Sequence, residues 1–409
     1  MSMRVLLLTQ WFDPEPTFKG MIFARELVQQ GFDVEVLTGF PNYPRGRLYP
    51  GFRLKALQRE HHDGVRVTRV PLYPSHDHSA IRRVLNYVSF AASALVYGLW
   101  VGRRVDVIYV YHPPLTVGLT ACLIRLVWRL PIVCDIQDMW PDTLRATGMV
   151  SSPKVLGIVD RVCRWVYKRA DSIVVLSPGF KRLLIERGVP EGKIDVIYNW
   201  ADESALSFPV GDLPLEFPDE DYFRIVFAGN MGKAQALVTV LDAAELLQRE
   251  DAKIRFVLVG GGVEVDRLRN CAEERGLRNV VFLPPMPMTE IGTLLKAADA
   301  LLVHLRSDPL FRITIPSKTQ AYMVAGRPII MGVDGDAAEL VLQSGGGVVA
   351  ESQNAEALAS AARQLASLDG SQRSEMGRRA SEYYRENLAL SVGVGRFSEI
   401  FRRFFKRKK

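Results

Sequence analysis

Short apolar segments alternate with helical segments along the chain. In the first half, the segments predicted as strands are Val5–Thr9, Val34–Thr38, Val65–Val70, Val107–Tyr111, Ile132–Cys134, Ile173–Leu176 and Asp195–Tyr198. In the second half they are Arg224–Ala228, Ile254–Val259, Val280–Leu283, Ala300–His304, Pro328–Met331 and Gly347–Ala350. Helices are expected between them, for example at Met21–Gln30, Leu115–Trp128, Phe180–Arg187 and Ala234–Leu247. Apolar strands that alternate with helices are typical of parallel sheets covered on both faces.

The number of strands predicts two α/β domains. Open sheets seldom exceed about ten strands, so two doubly wound sheets account for the pattern better than one. The segment 201–222 is rich in Pro, Asp, Glu, Gly and Ser and has no clear period, which is typical of a linker. We therefore predict domains at 1–200 and 201–385, followed by a C-terminal segment at 386–409.

Composition and cysteine spacing exclude several classes of protein. The 409 residues are 48% hydrophobic and 24% charged, which is ordinary for a globular protein and excludes a disordered or collagen-like chain. The four cysteines form no C-x-x-C pair and have no neighbouring His pair, so we expect reduced thiols rather than a zinc site. Val5–Leu8 is too short for the apolar core of a secretion signal.

The charge is unevenly distributed. Residues 1–200 carry 26 Lys and Arg against 17 Asp and Glu, whereas residues 201–409 carry 26 against 28. A basic half indicates nucleic acid, anionic lipid or a phosphorylated substrate as partner.

Two segments have the composition of membrane-contacting helices. Residues 84–102 are uncharged and flanked by arginine pairs, which fits a buried helix, a helix entering one face of a bilayer, or a span. A span would separate strands of one predicted sheet, which argues against it. In the C-terminal segment, one helix face is aromatic and apolar and the other is basic, which fits either a lipid surface or packing on the neighbouring domain. The apolar face consists of Phe397, Ile400, Phe401, Phe404 and Phe405.

Glycine turns after two strands indicate an anion site. Gly229 ends a strand, and a helix is expected to begin near Lys233. Glycines let backbone N–H groups approach a ligand, and a helix N-terminus favours an anion. A plain turn with a solvated lysine is the alternative. The second turn, Gly260–Gly262, lacks the G-x-G-x-x-G fingerprint, which makes an NAD oxidoreductase less favoured.

A third motif places a lysine at a predicted helix start. Ser317 follows Pro316 and can begin a helix that Gly326 and Pro328 end. Lys318 then lies in the first turn, where the helix dipole disfavours a cation. A bound anion at that position would offset the repulsion.

Polar side chains follow two predicted strands of the first half. Asp138 and its neighbours come directly after Ile132–Cys134, and His112 follows Val107–Tyr111. Ligands commonly bind at the carboxyl ends of parallel strands, although a lone histidine there is often a core residue. Two D-x-D triplets, at 219–221 and 334–336, resemble metal sites but lie in polar loops where acids are common.

The ordered set of motifs resembles GT-B glycosyltransferases of family 4, the glycosyl transferases group 1 type. Within it, the chain is similar to bacterial enzymes that build O-antigen, capsule or exopolysaccharide units. The matching segments are Trp11–Glu15, Gly31–Thr38, Asp138–Asp142, Val196–Asp202, Gly229–Gln235, Gly260–Gly262, Pro316–Lys318 and Gly326–Pro328.

This resemblance implies two Rossmann-like domains facing across a cleft. The C-terminal domain would bind a nucleotide-sugar, the N-terminal domain would bind the acceptor, and the last helix would return to the N-terminal domain. Transfer would retain the anomeric configuration and need no metal or other cofactor, because basic side chains and a helix terminus stabilise the departing diphosphate.

The resemblance also assigns candidate residues. The catalytic candidates are Asp138, Lys233 and Lys318. The donor-binding candidates are Gly229, Asn230, Gly232, Lys233, Gln235, Gly260, Gly261, Pro285, Met286, Ser317, Lys318 and Gln320. The acceptor-binding candidates are Lys19, Gly20, His112, Gln137 and Trp140.

Three positions depart from the family pattern. The two glutamates of its E-x7-E motif align with Ile313 and Ala321, and its usual histidine aligns with Gln137. Asp138 is retained, and Gln320 is assigned to the ribose.

The sequence therefore predicts a retaining transferase that moves a sugar of the N-acetylhexosamine type from a UDP-sugar to a lipid-linked glycan. We expect a cytoplasmic protein, peripheral at the inner membrane face, that does not bind nucleic acid. A nucleotide-sugar epimerase of the same fold and a non-catalytic nucleotide-sugar-binding partner are the alternatives. An epimerase needs no acceptor, and the missing glutamates favour the non-catalytic alternative.

Overall fold

The chain forms two compact units. A computed structural model describes residues 2–75, 79–112, 114–146, 149–150, 152–207 and 211–405. The first unit consists of Met1–Tyr198 together with Leu390–Lys409, and the second of Asn199–Ala389.

The described part of the first unit is built on a sheet of eight strands in the order β3-β4-β2-β1-β5-β6-β7-β8. The strands are β1 (Arg4–Leu8), β2 (Asp33–Gly39), β3 (Gln58–His62), β4 (Val65–Val70), β5 (Val107–His112), β6 (Ile132–Ile136), β7 (Ser172–Val175) and β8 (Ile194–Val196). The helices are α1 (Met21–Gln29), α2 (Ala80–Val101), α3 (Leu115–Trp128), α4 (Asp142–Ala146), α5 (Pro153–Arg169), α6 (Pro178–Glu186) and α16 (Leu390–Phe405).

The central strand β1 shows why the apolar segments predicted a parallel sheet. Val5 pairs with Val34 of β2 on one side and Val107 of β5 on the other. All three side chains are fully buried, because helices cover both faces of such a sheet.

The edge strand β3 was missed by the sequence pattern. It pairs antiparallel with β4, Gln58 opposite Arg69 and His62 opposite Val65. Its sequence is Gln-Arg-Glu-His-His, and every side chain is exposed or half-buried. A strand with no apolar face gives no hydrophobic period to detect.

The second unit contains a six-stranded parallel sheet in the order β11-β10-β9-β12-β13-β14 within the described residues. Its strands are β9 (Phe223–Ala228), β10 (Ile254–Val259), β11 (Val280–Leu283), β12 (Ala300–His304), β13 (Ile329–Gly332) and β14 (Gly347–Val349). Its helices are α7 (Glu203–Ser207), α8 (Val238–Arg249), α9 (Val265–Glu274), α10 (Met288–Ala297), α11 (Pro309–Arg312), α12 (Ser317–Ala325), α13 (Asp336–Ser344), α14 (Ala355–Ser367) and α15 (Gly370–Asn387). The two sheets confirm the predicted pair of Rossmann-like α/β domains.

One predicted helix start was wrong. The helix after β9 begins at Val238 rather than near Lys233. A short 3-10 turn at Lys233–Gln235 and the left-handed residue Ala236, with φ 46°, intervene. A left-handed residue interrupts α-helical geometry, so the regular helix starts only after it.

The aromatic face of α16 packs within the first unit. Phe397 and Phe401 are fully buried, and both rings contact Tyr109 edge-on, with centroids 5.4 and 5.9 Å away. Arg403 pairs with Asp195 at 3.2 Å. The described part of this helix therefore packs on the rest of the first unit. Residues 406–409 of the predicted basic tail lie outside the described residues.

Helix α2 contains the uncharged segment up to Val101, and Gly102 begins a 3-10 turn. Its inner side chains Asn86, Phe90 and Ala94 are buried, and Gly98 lies directly against Ile124 of α3. Among the described residues, the stretch Ile81–Arg104 is long and apolar enough to cross a membrane, yet one of its faces is committed to the domain.

Candidate functional site

Each sheet has a point where the strand order reverses, and ligands of such folds bind at that edge. In the second unit, β10 and β11 follow β9 on one side, while β12 to β14 continue on the other. The donor candidates are therefore expected at the carboxyl ends of β9 and β12.

Two glycine turns pack against each other there. A Cβ at Gly260 would lie 2.0 Å from the carbonyl oxygen of Gly229, and one at Gly262 would lie 2.4 Å from that of Met231. Met231 N–H also donates to the Gly261 carbonyl at 2.7 Å. Gly260 and Gly262 are thus required for the close approach of two turns, independently of any ligand.

Helix α12 is anchored over the end of β9. The hydroxyl of Tyr322 accepts a hydrogen bond from Ala228 N–H at 2.8 Å. Pro316 precedes the helix and provides no side-chain cap. Thr319 N–H donates to the Pro316 carbonyl at 2.9 Å, which leaves the two N–H groups before it available to an anion at the same edge.

Lys318, in the first turn of α12, lies at the same edge of the sheet. Its ammonium nitrogen lies 3.5 Å from the centroid of the Phe227 ring and 3.3 Å from where a Cβ of Gly229 would be. It is buried and has no hydrogen-bond partner among the described residues. Burial lowers the pKa of Lys318 to about 7. An unpaired buried cation is costly unless an anion neutralises it, so this position is suited to a phosphate.

Gln235 holds the turn after β9 in place. Its side-chain oxygen accepts a hydrogen bond from Gly232 N–H at 2.9 Å, and its carbonyl oxygen lies 2.7 Å from Nδ1 of His304. Because a carbonyl can only accept, Nδ1 must carry the proton. The other ring nitrogen, Nε2, is then an acceptor; it is buried without a partner among the described residues, and burial lowers the pKa of His304.

The sequence pattern did not single out His304. The residue ends β12. Because the strand order reverses between β9 and β12, the end of β12 is a position where ligands commonly bind. Only the strand order, which the sequence did not predict, identifies β12 as the neighbour of β9.

The other donor candidates have different surroundings. Gly229, Asn230, Lys233 and Ser317 are exposed at this edge of the sheet. The Gln320 amide nitrogen, oriented to satisfy its neighbours, donates to the carbonyls of Pro316 and Ser317 at 3.0 and 3.1 Å, so it supports the helix turn.

Two further donor candidates lie in the loop after β11. Pro285 lies beside Gly261, with its Cγ 3.2 Å from where a Cβ would be, and Met286 is half-buried.

In the first unit, the Asp138 carboxyl group interacts electrostatically with two tyrosines. Burial raises the pKa of its carboxyl group. Burial also raises the pKa of Tyr43 and of Tyr87, and the Asp138 charge adds to both shifts. Trp11 stacks on Tyr43, with ring centroids 4.8 Å apart. These four half-exposed side chains, the Asp138 group, combine an acid with stacking rings, which is an arrangement that suits a sugar.

Glu15 fixes the loop that carries Tyr43. Its carboxylate accepts hydrogen bonds from the backbone N–H groups of Phe12, Asn42 and Tyr43, at 3.2, 2.7 and 2.7 Å. Burial raises the pKa of Glu15 to about 7, although the three hydrogen bonds act in the opposite direction. Glu15 therefore ties the loops after β1 and β2 together.

Three acceptor candidates, Lys19, Gly20 and His112, are buried in the first unit. Lys19 is fully buried, with its ammonium nitrogen 5.8 Å from the Phe23 ring centroid and 5.3 Å from that of Phe397, and burial lowers its pKa to about 8. At the neighbouring Gly20, the Asp13 carboxylate accepts Met21 N–H at 2.6 Å and already neutralises the N-terminus of α1.

His112 is also buried. A Cβ at Gly118 would lie 3.0 Å from its ring, and burial lowers its pKa to about 4. Gln137 and Trp140 remain half-exposed beside Asp138, and Gln137 donates to Asp135 at 2.5 Å.

The described residues contain no group of three or more His, Cys, Asp or Glu side chains that would hold a metal ion. At the triplet 334–336, Asp334 accepts a hydrogen bond from Ser352 N–H at 3.3 Å, and Asp336 is buried at the start of α13.

Comparison with known sequences assigns both units. Residues 22–200 match the family described as "Glycosyl transferase 4-like domain", and residues 215–383 match "Glycosyl transferases group 1". WcaI of Escherichia coli (strain K12), a glycosyl transferase named for colanic acid biosynthesis, is 28% identical over 80% of this chain and 83% of its own length. The glycosyltransferase WbjE of Pseudomonas aeruginosa is 28% identical over 56% of this chain and 57% of its own.

Solved structures share the fold over nearly the full length. Sucrose-phosphate synthase from Thermosynechococcus elongatus has a TM-score of 0.74 and 16% identity, covering 99% of this chain and all of its own. Alr3699/HepE of Anabaena, solved in complex with UDP, has a TM-score of 0.70 and 15% identity, covering 98% and 99%. The chain therefore belongs to the GT-B glycosyltransferases of family 4, the glycosyl transferases group 1 type, and is an enzyme that transfers sugars.

Proposed function

We propose that the second unit binds a UDP-sugar through its diphosphate, between the N-terminus of α12 and the exposed turn at Gly229. The observation that carries this proposal is the buried, unpartnered ammonium group of Lys318 beside that helix start. The structure of a fold relative in complex with UDP supports the choice of nucleotide.

The proposed chemistry is electrostatic. As the bond from the sugar to the diphosphate breaks, negative charge grows on the departing phosphate oxygens. Lys318, the α12 N–H groups and the more exposed Lys233 stabilise that charge without a metal ion. Burial of Lys318 strengthens its attraction to the leaving group, because little water screens it. The transfer is proposed to retain the configuration of the anomeric carbon.

The first unit is proposed to bind the acceptor at the Asp138 group. The aromatic rings of Trp11 and Tyr43 supply stacking surfaces for a sugar. The Asp138 carboxylate accepts the proton of the attacking hydroxyl, and its raised pKa brings it closer to the pH at which a general base works best.

For the biological reaction, we propose transfer of an N-acetylhexosamine-type sugar to a lipid-linked glycan in bacterial surface polysaccharide synthesis, at the inner face of the cytoplasmic membrane. The relative named for colanic acid biosynthesis supports this class of product. The basic first half and the apolar helix α2 support an acceptor carried on a lipid diphosphate.

One observation keeps a non-catalytic nucleotide-sugar-binding role as the second candidate. The positions of the family's two glutamates hold Ile313 and Ala321, neither of which can bind a sugar hydroxyl through its side chain. Release of UDP that depends on added acceptor would exclude that role, and it would exclude an epimerase as well.

The first test is calorimetric titration with UDP, GDP and NAD, with and without EDTA. We expect UDP to bind most tightly and EDTA to have no effect. Lys318→Ala is expected to weaken UDP binding by about tenfold to a hundredfold, the range for loss of one hydrogen bond to a charged group, and to slow UDP-sugar turnover by about tenfold to a thousandfold. Lys253→Ala removes an exposed lysine of the same unit and is the matched control. Unchanged UDP affinity in Lys318→Ala would contradict the proposed diphosphate site.

A further inference from the structure

Helix α2 exposes one apolar face along its whole length. The exposed side chains recur every three or four residues and so form a single stripe. This α2 stripe consists of Ile81, Val84, Leu85, Val88, Ala92, Val96 and Trp100. Ile81 and Val96, near its two ends, are 75% and 74% exposed. At 1.5 Å per residue, the stripe is about 28 Å long.

The end of helix α3 widens the apolar surface. Leu126, Val127 and Trp128 are exposed there. The indole of Trp128 packs over Gly102, and its N–H donates to the carbonyl of Leu99 at 2.8 Å. Continuous apolar patches of this kind are rare on soluble monomers unless something covers them.

Four exposed arginines lie beside this surface. Arg82 lies at the start of α2, and Arg103, Arg104 and Arg129 lie where α2 and α3 end; all four are exposed. None of the residues from Ala80 to Val101 is acidic. The guanidinium of Arg104 lies 5.0 Å from the Trp100 ring centroid. A tryptophan and arginines next to an apolar stripe are the residues that bind the headgroup region of an anionic bilayer.

The opposite face of α2 connects to the Asp138 group. Asn86 is buried, accepts a hydrogen bond from Gln10 at 2.5 Å and donates one to Asn42 at 3.1 Å. The next residue, Tyr87, feels the charge of Asp138. These inner contacts hold the helix on the domain, so it can lie along a membrane surface but cannot span the membrane without leaving the fold.

We propose that the α2 stripe docks flat on an anionic lipid bilayer and so brings a membrane-borne acceptor to the Asp138 group. The assignment of that group to the acceptor rests on the proposed function, whereas the docking surface rests on exposure and charge alone. The bilayer is favoured over a second copy of the chain because the four exposed arginines beside the stripe would repel their symmetric counterparts.

The test is co-sedimentation of the full chain with vesicles of phosphatidylcholine, with and without phosphatidylglycerol. The unmodified chain is expected to bind the anionic vesicles about tenfold or more better, since several arginines each add to the attraction. The double variant Val88→Glu, Val96→Glu is expected to lose at least that factor. Leu215→Glu, Leu342→Glu places the same charges on exposed positions of the second unit and is expected to bind like the unmodified chain.

Thermal unfolding is used to check that both double variants fold, and UDP titration is carried out on the same samples. Absence of vesicle binding by the unmodified chain, or equal binding by the Val88→Glu, Val96→Glu variant, would overturn the docking proposal. The unmodified chain could instead self-associate without binding vesicles, and the Val88→Glu, Val96→Glu variant could abolish that self-association. This result would assign the stripe to a second copy of the chain and would also overturn the docking proposal. If vesicle binding fails but UDP still binds, the docking proposal is wrong and the proposed function stands. If the unmodified chain does not bind UDP, the proposed function is contradicted and the docking proposal is not.

Discussion

At the scale of single residues, Lys318 and Glu15 are ionisable groups whose burial shifts the pKa toward neutrality in opposite senses. Burial lowers the pKa of Lys318 to about 7 and raises that of Glu15 to about 7. Lys318 is therefore only partly charged at neutral pH before a ligand arrives. Glu15 is partly protonated in the same range. Both shifts have measurable consequences.

UDP binding is expected to take up a proton above pH 7. A bound diphosphate stabilises the charged lysine and raises its pKa, so Lys318 becomes protonated as the complex forms. Affinity should fall as the pH rises from 7 to 9. Calorimetry at pH 8 in two buffers with different ionisation enthalpies measures the uptake directly. Lys318→Arg, which stays charged, should bind with little proton uptake; equal uptake in both proteins would point to another group.

Glu15 is expected to make the chain less stable at pH 8 than at pH 5. Its folded pKa of about 7 lies above the unfolded value of 4.5, so the folded state holds the proton more tightly. The stability it adds is fully present below the unfolded pKa and is lost as the pH rises through 7, by up to about 3 kcal/mol. Urea unfolding of Glu15→Gln at both pH values should show a smaller difference than the unmodified chain shows. An undiminished difference would contradict this role.

At the scale of elements, the packing of turns and helices at the sheet edges decides which residues are accessible. The sequence predicted the central strands because they are apolar throughout. It missed the edge strand β3, whose residues are polar on both faces. It also placed the start of α8 too early, since the left-handed Ala236 leaves no signature in the hydrophobic period.

The same limit applies to the site. Glycines and lysines after strands were predicted to share one edge of the second sheet, and Gly229, Gly260 and Lys318 lie together there. The direction of a side chain could not be inferred in the same way. Lys19 and His112 follow strands or precede a helix as ligand-binding residues do, yet both are buried. His304 and Glu15 were not predicted, because their positions depend on strand order and loop packing.

The contact between the two glycine turns predicts a stability effect. Gly260→Ala would place a Cβ 2.0 Å from the Gly229 carbonyl at a φ of 138°, so backbone must shift. A loss of about 2–4 kcal/mol of unfolding free energy is expected from strain and displaced packing. Gly370→Ala, where nothing lies within 4 Å, is the control. Urea unfolding of the two variants provides the comparison, and equal stabilities would show that the turns can separate at little cost.

At the scale of the whole molecule, the first unit is built from both ends of the chain. Residues 390–409 belong to it although the second unit intervenes in sequence. Helix α16 contributes Phe397 and Phe401, which pack against Phe23, Phe32 and Tyr109. The core of the first unit is incomplete without that helix.

A chain that ends at Ala389 should therefore lose stability in the first unit and keep UDP binding in the second. Removing two buried aromatic side chains costs about 3–5 kcal/mol each when the protein does not rearrange. We expect early proteolytic cleavage within residues 1–198 and a UDP affinity within about threefold of the full chain. Calorimetric titration and limited proteolysis of both chains make the comparison. Loss of UDP binding on truncation would show that the second unit depends on α16.

The return of the last helix to the first unit has a consequence for the order of events at the ribosome. The second unit, Asn199–Ala389, must be synthesised before α16 emerges. At about 5–20 residues per second, that interval is about 10–40 s. During this interval, the aromatic surface that α16 later covers, including Phe23 and Tyr109, stays exposed on a first unit whose strands have all been synthesised. Exposed apolar surface of this kind on a nascent chain is what chaperones bind. The first unit, which is synthesised first, cannot be completed until the last residues of the chain are made.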